Sequence, residues 1–342
     1  MIKKFLKKKT SQSKAKRQIT GSTIEEHREE ILAKGRKFKY PIQYTKHKLV
    51  INTIVIGLVA LSVAGVFGGL QLYKFHNTSY LAYRVTEFLH LPVANVDGET
   101  VLFSDYLMQY RSSIRVVEQQ EGKISNNEDG RRQMNYYKRA ALNNAITNAY
   151  AIKLARQKGI TVSQQRIDAV FNEHLTSGDT QVTKTGFEKL VSDNFGLNLT
   201  EYKRMFIELP LLKQDVSVNI DQTAKQIVQQ LAAELKTDGS NFDTVAQKFG
   251  SKIIYEPSSG LVGVQNQDGG RASEANKLSV GHVSKSFLSR SGDCYYIVKL
   301  LKKDNSQVEY ASIRVPFTEL QKRIDQLKKD GKIREFITIP TD

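Results

Sequence analysis

A chain of 342 residues with one cysteine, no tryptophan and a formal net charge of +16 has no internal disulfide, no cysteine-based zinc site and no CxxC redox pair. So basic a balance invites a nucleic-acid reading, but the charge is unevenly distributed: residues 1–48 hold 15 Lys or Arg against four acids, whereas the remainder holds 36 basic and 31 acidic side chains. That larger part carries no basic-aromatic stripe, so its charge describes a solvated surface and no specific nucleic-acid partner is expected.

In the basic tail, Thr23-Ile24-Glu25-Glu26 has the spacing of a capping box and predicts a short amphipathic helix over residues 24–37. Residues 49–72, LVINTIVIGLVALSVAGVFGGLQL, then run without a charged side chain. A helix of that length covers about 36 Å, against the roughly 30 Å hydrocarbon core of a bilayer. A transmembrane helix is therefore expected over residues 49–73, in contact with membrane lipid. A cleaved signal peptide fits poorly because 48 residues precede the apolar stretch. The basic flank keeps residues 1–48 on the cytoplasmic side and sends the rest outside, giving a single-pass protein with an extracytoplasmic C-terminal part. Gly65 and Gly69 form a small-xxx-small pair of the kind that lets two such helices approach.

Beyond the span, VANVDGETV at 93–101 predicts a hairpin around Asp97-Gly98. Helices are expected over Phe103–Gln120 and from about Arg132 to Lys158, with a polar loop between them and Gly159 as the stop. Ser163 is placed to cap the next helix, along which Ile167, Val170, Phe171, His174 and Leu175 recur at helical spacing, with His174 a half-buried packing residue. Phe187, Leu190, Val191 and Phe195 form a further apolar face. Thr200 opens a helix through Leu209, which Pro210 kinks or ends. Asn77-Thr78-Ser79 and Asn198-Leu199-Thr200 match the glycosylation triplet, a pattern that chance also supplies. Composition changes after Asp221. Helices are expected at 222–236 and 241–249, followed by a Gly- and Ser-rich stretch at 258–270, strands at 294–301 and 308–316, a helix at 317–330 and a last strand near 333–339.

This order of elements resembles the SurA and PrsA type of bacterial foldase, in which a helical chaperone module is joined to a parvulin-like (PpiC-type) prolyl isomerase domain. VANVDGETVLFSDY at 93–106, LNNAITNAYAIKLARQKGITVSQQRIDAVF at 142–171 and GLNLTEYKR at 196–204 carry the likeness to the chaperone module. NFDTVAQKFGS at 241–251, SSGLVGV at 258–264, LSVGHVSKSF at 278–287 and CYYIVKLL at 294–301 follow the parvulin order more loosely. The resemblance implies an α+β fold with a single N-terminal transmembrane helix, a mainly helical chaperone module and a small parvulin-like α/β domain. The implied segments are a basic cytoplasmic tail at 1–48, the span at 49–73, a chaperone domain at 78–220 completed by 306–342, and a parvulin-like domain at 221–305.

The family's paired histidines are missing. Where its final strand carries the second histidine, this chain has Tyr296, and no strand carrying the first precedes residue 222. Alternatively, Ala311–Val315 supplies that first strand from the C-terminal side, with Ser312 in the histidine's place. Tyr296, Ser312 and Phe287 are the candidate pocket residues. The resemblance implies an extracytoplasmic chaperone whose partners are unfolded or secreted polypeptides. Two other functions stay open: an active peptidyl-prolyl isomerase and a non-catalytic envelope scaffold. No catalytic triad, P-loop or dinucleotide fingerprint is apparent, and neither a cofactor nor a metal is expected.

Overall fold

In the computed structural model, residues 21–39, 41–177 and 180–340 are described, and the chain divides into two units between Leu70 and Gln71. The first unit contains α1 (Gly21–Lys39) and α2 (Pro41–Gly69). Because α1 already begins at Gly21, Thr23 lies inside the helix instead of capping it. A π-helical turn at Leu70–Lys74 extends α2 into an apolar helix, His47–Lys74, long enough to cross a membrane. Every large apolar side chain from Leu49 to Phe67 is more than half exposed. A helix apolar on all sides needs a nonaqueous surround. Thr53 donates to the Leu49 carbonyl and Ser62 to that of Leu58, both at 2.9 Å, so these two hydroxyls are satisfied within the helix.

The second unit starts with a helical body. Helix α3 (Tyr80–Leu89), not expected from the sequence, is capped by Ser79, whose Oγ accepts from the Ala82 N–H at 3.2 Å. Strands β1 (Pro92–Val96) and β2 (Glu99–Leu102) form the expected hairpin, with Asp97 at φ 49° and Gly98 at φ 85°, the two left-handed residues a tight turn of this hand requires. Helix α4 (Phe103–Glu121) packs along α5 (Glu128–Lys158), which starts four residues before Arg132 because Asn127 Oδ1 accepts from the Gly130 N–H at 2.8 Å. Gly159, at φ 65°, ends it. Ser163 caps α6 (Gln164–His174); a two-residue ladder, β3 (Thr176–Ser177) with β4 (Thr180–Gln181), leads to α7 (Lys184–Phe195). Within α7, Val191 is buried but Leu190 is half exposed, so the apolar face is narrower than its spacing suggests.

Helix α8 (Leu199–Lys203) is opened by Asn198 and Glu201 in a reciprocal capping box, one turn position earlier than Thr200. Both glycosylation triplets thus contribute helix caps, through Ser79 and Asn198. A π-helical turn at Arg204–Glu208 then runs into α9 (Leu209–Ile220), so Pro210 does not end the helix. The wider turn absorbs the hydrogen bond and space that proline denies to the preceding turn.

The chain then builds a second body: α10 (Gln222–Glu234), α11 (Phe242–Phe249), β5 (Ile254–Glu256), β6 (Val262–Gly263), α12 (Arg271–Asn276), β7 (Phe287–Leu288), β8 (Cys294–Lys303) and β9 (Gln307–Pro316). Its antiparallel sheet has the order β5-β9-β8-β7, with β6 also on β9. Strand β9 lies directly beside β8, pairing Ile297 with Ile313 and Val298 with Ser312. Alternation sends Ile297, Ala311, Ile313 and Val315 to a face covered by α10 and α11, and Tyr296, Val298, Tyr310 and Ser312 to the opposite face, where α12 packs.

Finally α13 (Glu319–Lys329) and β10 (Ile333–Glu335) return to the helical body. Val96 pairs with Ile333, and Leu320, Ile324, Leu327, Ile337 and Ile339 enter its core. Two boundaries therefore differ from expectation. Strand β9 belongs to the sheet, so the helical body is completed from about residue 317 and not from 306. The same core begins before residue 78, since it buries Leu72 to 5 % exposure.

Candidate functional site: a cleft between the helical body and the sheet

An open cleft of about 1420 Å³ separates α6, α8 and α9 from the loops at 265–271 and 288–292. Its helical wall is aromatic. Tyr202 lies 5.2 Å from Phe187 and 5.0 Å from Phe206 between ring centroids, and Phe206 lies 5.0 Å from Phe195. Such edge-on and tilted ring clusters combine a large apolar surface with fixed geometry. The π-helical turn contains Phe206 and Ile207, both of which line the cleft. His174 sits at its edge, with Tyr202 Oη 3.1 Å from Nδ1, and burial holds the imidazole below its ordinary pKa. Its ring packs edge-on against Tyr202, 6.0 Å between centroids, at the rim of the cleft.

The opposite wall rests on Arg271, at the start of α12. Its guanidinium stands over the rings of Tyr296 and Tyr310, 5.1 and 5.5 Å from their centroids. It pairs with Glu256, donates to Ser312 Oγ at 3.1 Å and donates to the Asp268 carbonyl at 2.9 Å. Ser312 Oγ in turn donates to Glu256 Oε2 at 3.2 Å, and Tyr310 Oη donates to Asp268 Oδ2 at 2.7 Å. Gly269, at φ 79°, lets the loop pass so close that an added Cβ would stand 3.1 Å from the Tyr296 ring.

Of the three residues singled out from the sequence, Tyr296 lines the cleft. Phe287 and Ser312 stand behind that lining, Phe287 against the Tyr296 ring at 5.9 Å between centroids and Ser312 beneath Arg271 at 1 % exposure. Burial, aided by the neighbouring Cys294, pushes the Tyr296 phenol up to about 12. At neutral pH it is a hydrogen-bonding group and not a base. The Cys294 thiol is fully buried and likewise raised by burial, which makes it inert.

Two features missed in the sequence hold the walls together. Gln214, on α9, donates from Nε2 to the Ser289 carbonyl at 3.0 Å and accepts from Arg166 Nη2 at 2.9 Å, while Arg166 Nη1 pairs with Asp215 at 2.6 Å. Beside it Gly292, at φ 76°, leaves no room for a side chain: an added Cβ would stand 2.9 Å from that of Gln214. Arg271 was equally invisible, because a lone arginine after a Gly-rich stretch carries no spacing signal. Among the described residues, no group of three potential metal-ligating side chains occurs.

What this arrangement offers is a wide, mixed apolar and polar surface. Small-molecule sites occupy roughly 300 to 1,000 Å³, and this cleft is larger. No curated protein matches the chain, but the family model for the SurA-like N-terminal domain matches residues 42–214, which includes the helical wall of the cleft. The chain belongs to the SurA-like N-terminal domain family, and that membership suggests a chaperone-type function.

Proposed function

We propose that this protein is a single-pass, membrane-anchored chaperone with residues 1–48 in the cytoplasm, holding unfolded or newly translocated polypeptides in the extracytoplasmic cleft. The cleft itself carries the proposal: aromatic side chains on one wall face loop amides and hydroxyls on the other, across a space sized for a chain segment. Apolar side chains of a client meet Phe206, Leu211 and Leu288, while its backbone finds partners in Gln265, Asn266, Gln267 and Ser291. The apolar helix His47–Lys74 and the basic flank before it support anchoring and its direction. The test is the aggregation of an unfolded client with and without the full chain in phospholipid vesicles. Binding predicts slowed aggregation at stoichiometric protein; an unchanged aggregation rate removes the proposal.

A second reading, prolyl isomerisation by a parvulin-like domain, draws on the gathering of Tyr296, Ser312 and Phe287 on one sheet face. Strand β9, arriving from the C-terminal side, carries Ser312 beside the strand of Tyr296. Rotation about a prolyl bond needs a shaped polar pocket rather than a nucleophile. Arg271, however, covers that face, so binding is favoured over catalysis. A protease-coupled proline peptide assay separates the two: catalysis requires a rate that falls in Tyr296→Ala and Ser312→Ala, whereas binding alone leaves the uncatalysed rate throughout. A fixed-partner scaffold would instead crosslink to one dominant protein.

A further inference from the structure

Helix α3 is amphipathic in an unexpected sense. Ala82, Tyr83 and Thr86 face the body and are buried, while Leu81, Val85, Phe88 and Leu89 are 73, 41, 83 and 53 % exposed. Spacings of four, seven and eight residues from Leu81 place these four side chains along one outward stripe. An exposed apolar strip of this kind, on the order of a few hundred Å², marks a surface that something covers.

What covers it follows from how the chain reaches α3. Residues 71–74, at the end of the apolar stretch, belong to the second unit: Leu72 is buried in the helical core, and Tyr73 Oη donates to the Pro92 carbonyl at 2.7 Å. The Asn77 N–H donates to the Gln71 carbonyl at 2.9 Å, which folds the chain back so that α3 begins beside these residues. Even fully extended, the five residues between Lys74 and Tyr80 would reach only about 18 Å. Phe75, in the short connection before α3, is also 63 % exposed. Tyr80 adds an interfacial anchor, with the Arg84 and Arg111 guanidinium groups 4.9 and 5.5 Å from its ring centroid. Aromatic rings paired with arginine are the side chains that settle at the boundary between headgroups and acyl chains.

We infer that the stripe of α3 lies in the outer headgroup region of the bilayer, seating the helical body directly on the lipid surface. This rests on the membrane anchor proposed above, which vesicle flotation tests separately.

The experiment uses the full chain in phosphatidylcholine and phosphatidylglycerol vesicles containing lipids with a nitroxide in the headgroup region. Cys294 is fully buried, so a thiol-reactive fluorophore reports on an introduced cysteine. Labels on Leu81→Cys and Phe88→Cys are expected to be quenched at least about twofold more than one on Leu261→Cys, an exposed site in the sheet body, as interfacial burial requires. Adding Phe88→Glu should abolish the excess at Leu81→Cys while flotation is unchanged. Equal quenching at all three positions in chains that still float overturns the seat but leaves the anchor standing. Labels that escape lipid quenching yet are shielded by an unfolded client overturn it as well, and give the stripe to clients. Failure to float removes the anchor itself.

Discussion

Asp221 accepts a hydrogen bond from the Thr318 N–H at 2.7 Å although nearly a hundred residues separate them. The same Oδ2 accepts from Glu319 at 3.0 Å, and Oδ1 accepts from Ala224 at 2.9 Å. One carboxylate, 2 % exposed, thus caps α10, where the chain leaves the helical body, and α13, where it returns. Each cap replaced by alanine costs roughly 0.5 to 2 kcal/mol. Asp221→Ala should therefore destabilise by about 2 to 3 kcal/mol, with Asp221→Asn, which keeps one acceptor, losing about half. Urea unfolding of the detergent-solubilised chain measures this; equal midpoints for wild type and Asp221→Ala would remove the double cap.

Glu201 joins α3 to α8. It is 7 % exposed, accepts from Tyr83 Oη and Arg84 Nη1 at 2.9 Å each, and accepts the Asn198 N–H at 2.9 Å. Because Arg84 remains partly exposed, the loss on Glu201→Ala falls short of the full cost of a broken buried pair, at about 2 kcal/mol. Glu201→Gln, retaining an acceptor for Tyr83, should lose less. A larger loss for Gln than for Ala would contradict this.

At the joint of the cleft, Gly292→Ala meets both a left-handed backbone and the side chain of Gln214. The loop at 288–292 must then move off α9. Client protection in the aggregation assay should fall severalfold, while far-ultraviolet circular dichroism stays unchanged. Full protection in that variant would mean that the joint does not set the cleft.

Acid sensitivity is expected at Asp293. Burial raises its carboxyl, but hydrogen bonds from Ser291 and Ser289 and the pair with Arg314 outweigh that and bring it from 3.8 to about 2. A carboxyl lowered on folding favours the folded state above its unfolded value, so this contribution is intact above about pH 4 and fades as pH falls toward 2. Asp293→Asn should flatten that part of the urea midpoint against pH. An unchanged acid slope would assign the loss to other groups.

Local chemistry made much of this fold legible. Asp97-Gly98 needs both residues left-handed, Gly159 ends a helix that could continue no further, and Ser163 caps the next; each is decided by its nearest neighbours in sequence. Tertiary decisions were not legible. Thr23 has the residues of a cap, but the helix already covers it. Pro210 should kink or end a helix, and the helix continues past it through a π-helical turn. Leu72 reads as part of an apolar span, and only the fold shows it buried in the core. The cleft divided in the same way: the strand that brings Tyr296 to it is legible in the sequence, whereas Arg271 and Gln214 act through contacts that no spacing announces.

Whether polypeptide occupies the cleft is tested most directly by a photoreactive residue at Leu288, which lines it, compared with one at Val280, which is exposed outside it. With the full chain in vesicles and an unfolded client added, crosslinks should form at Leu288 with many client segments and be scarce at Val280. Equal yields at both positions, or none at Leu288, would contradict the account.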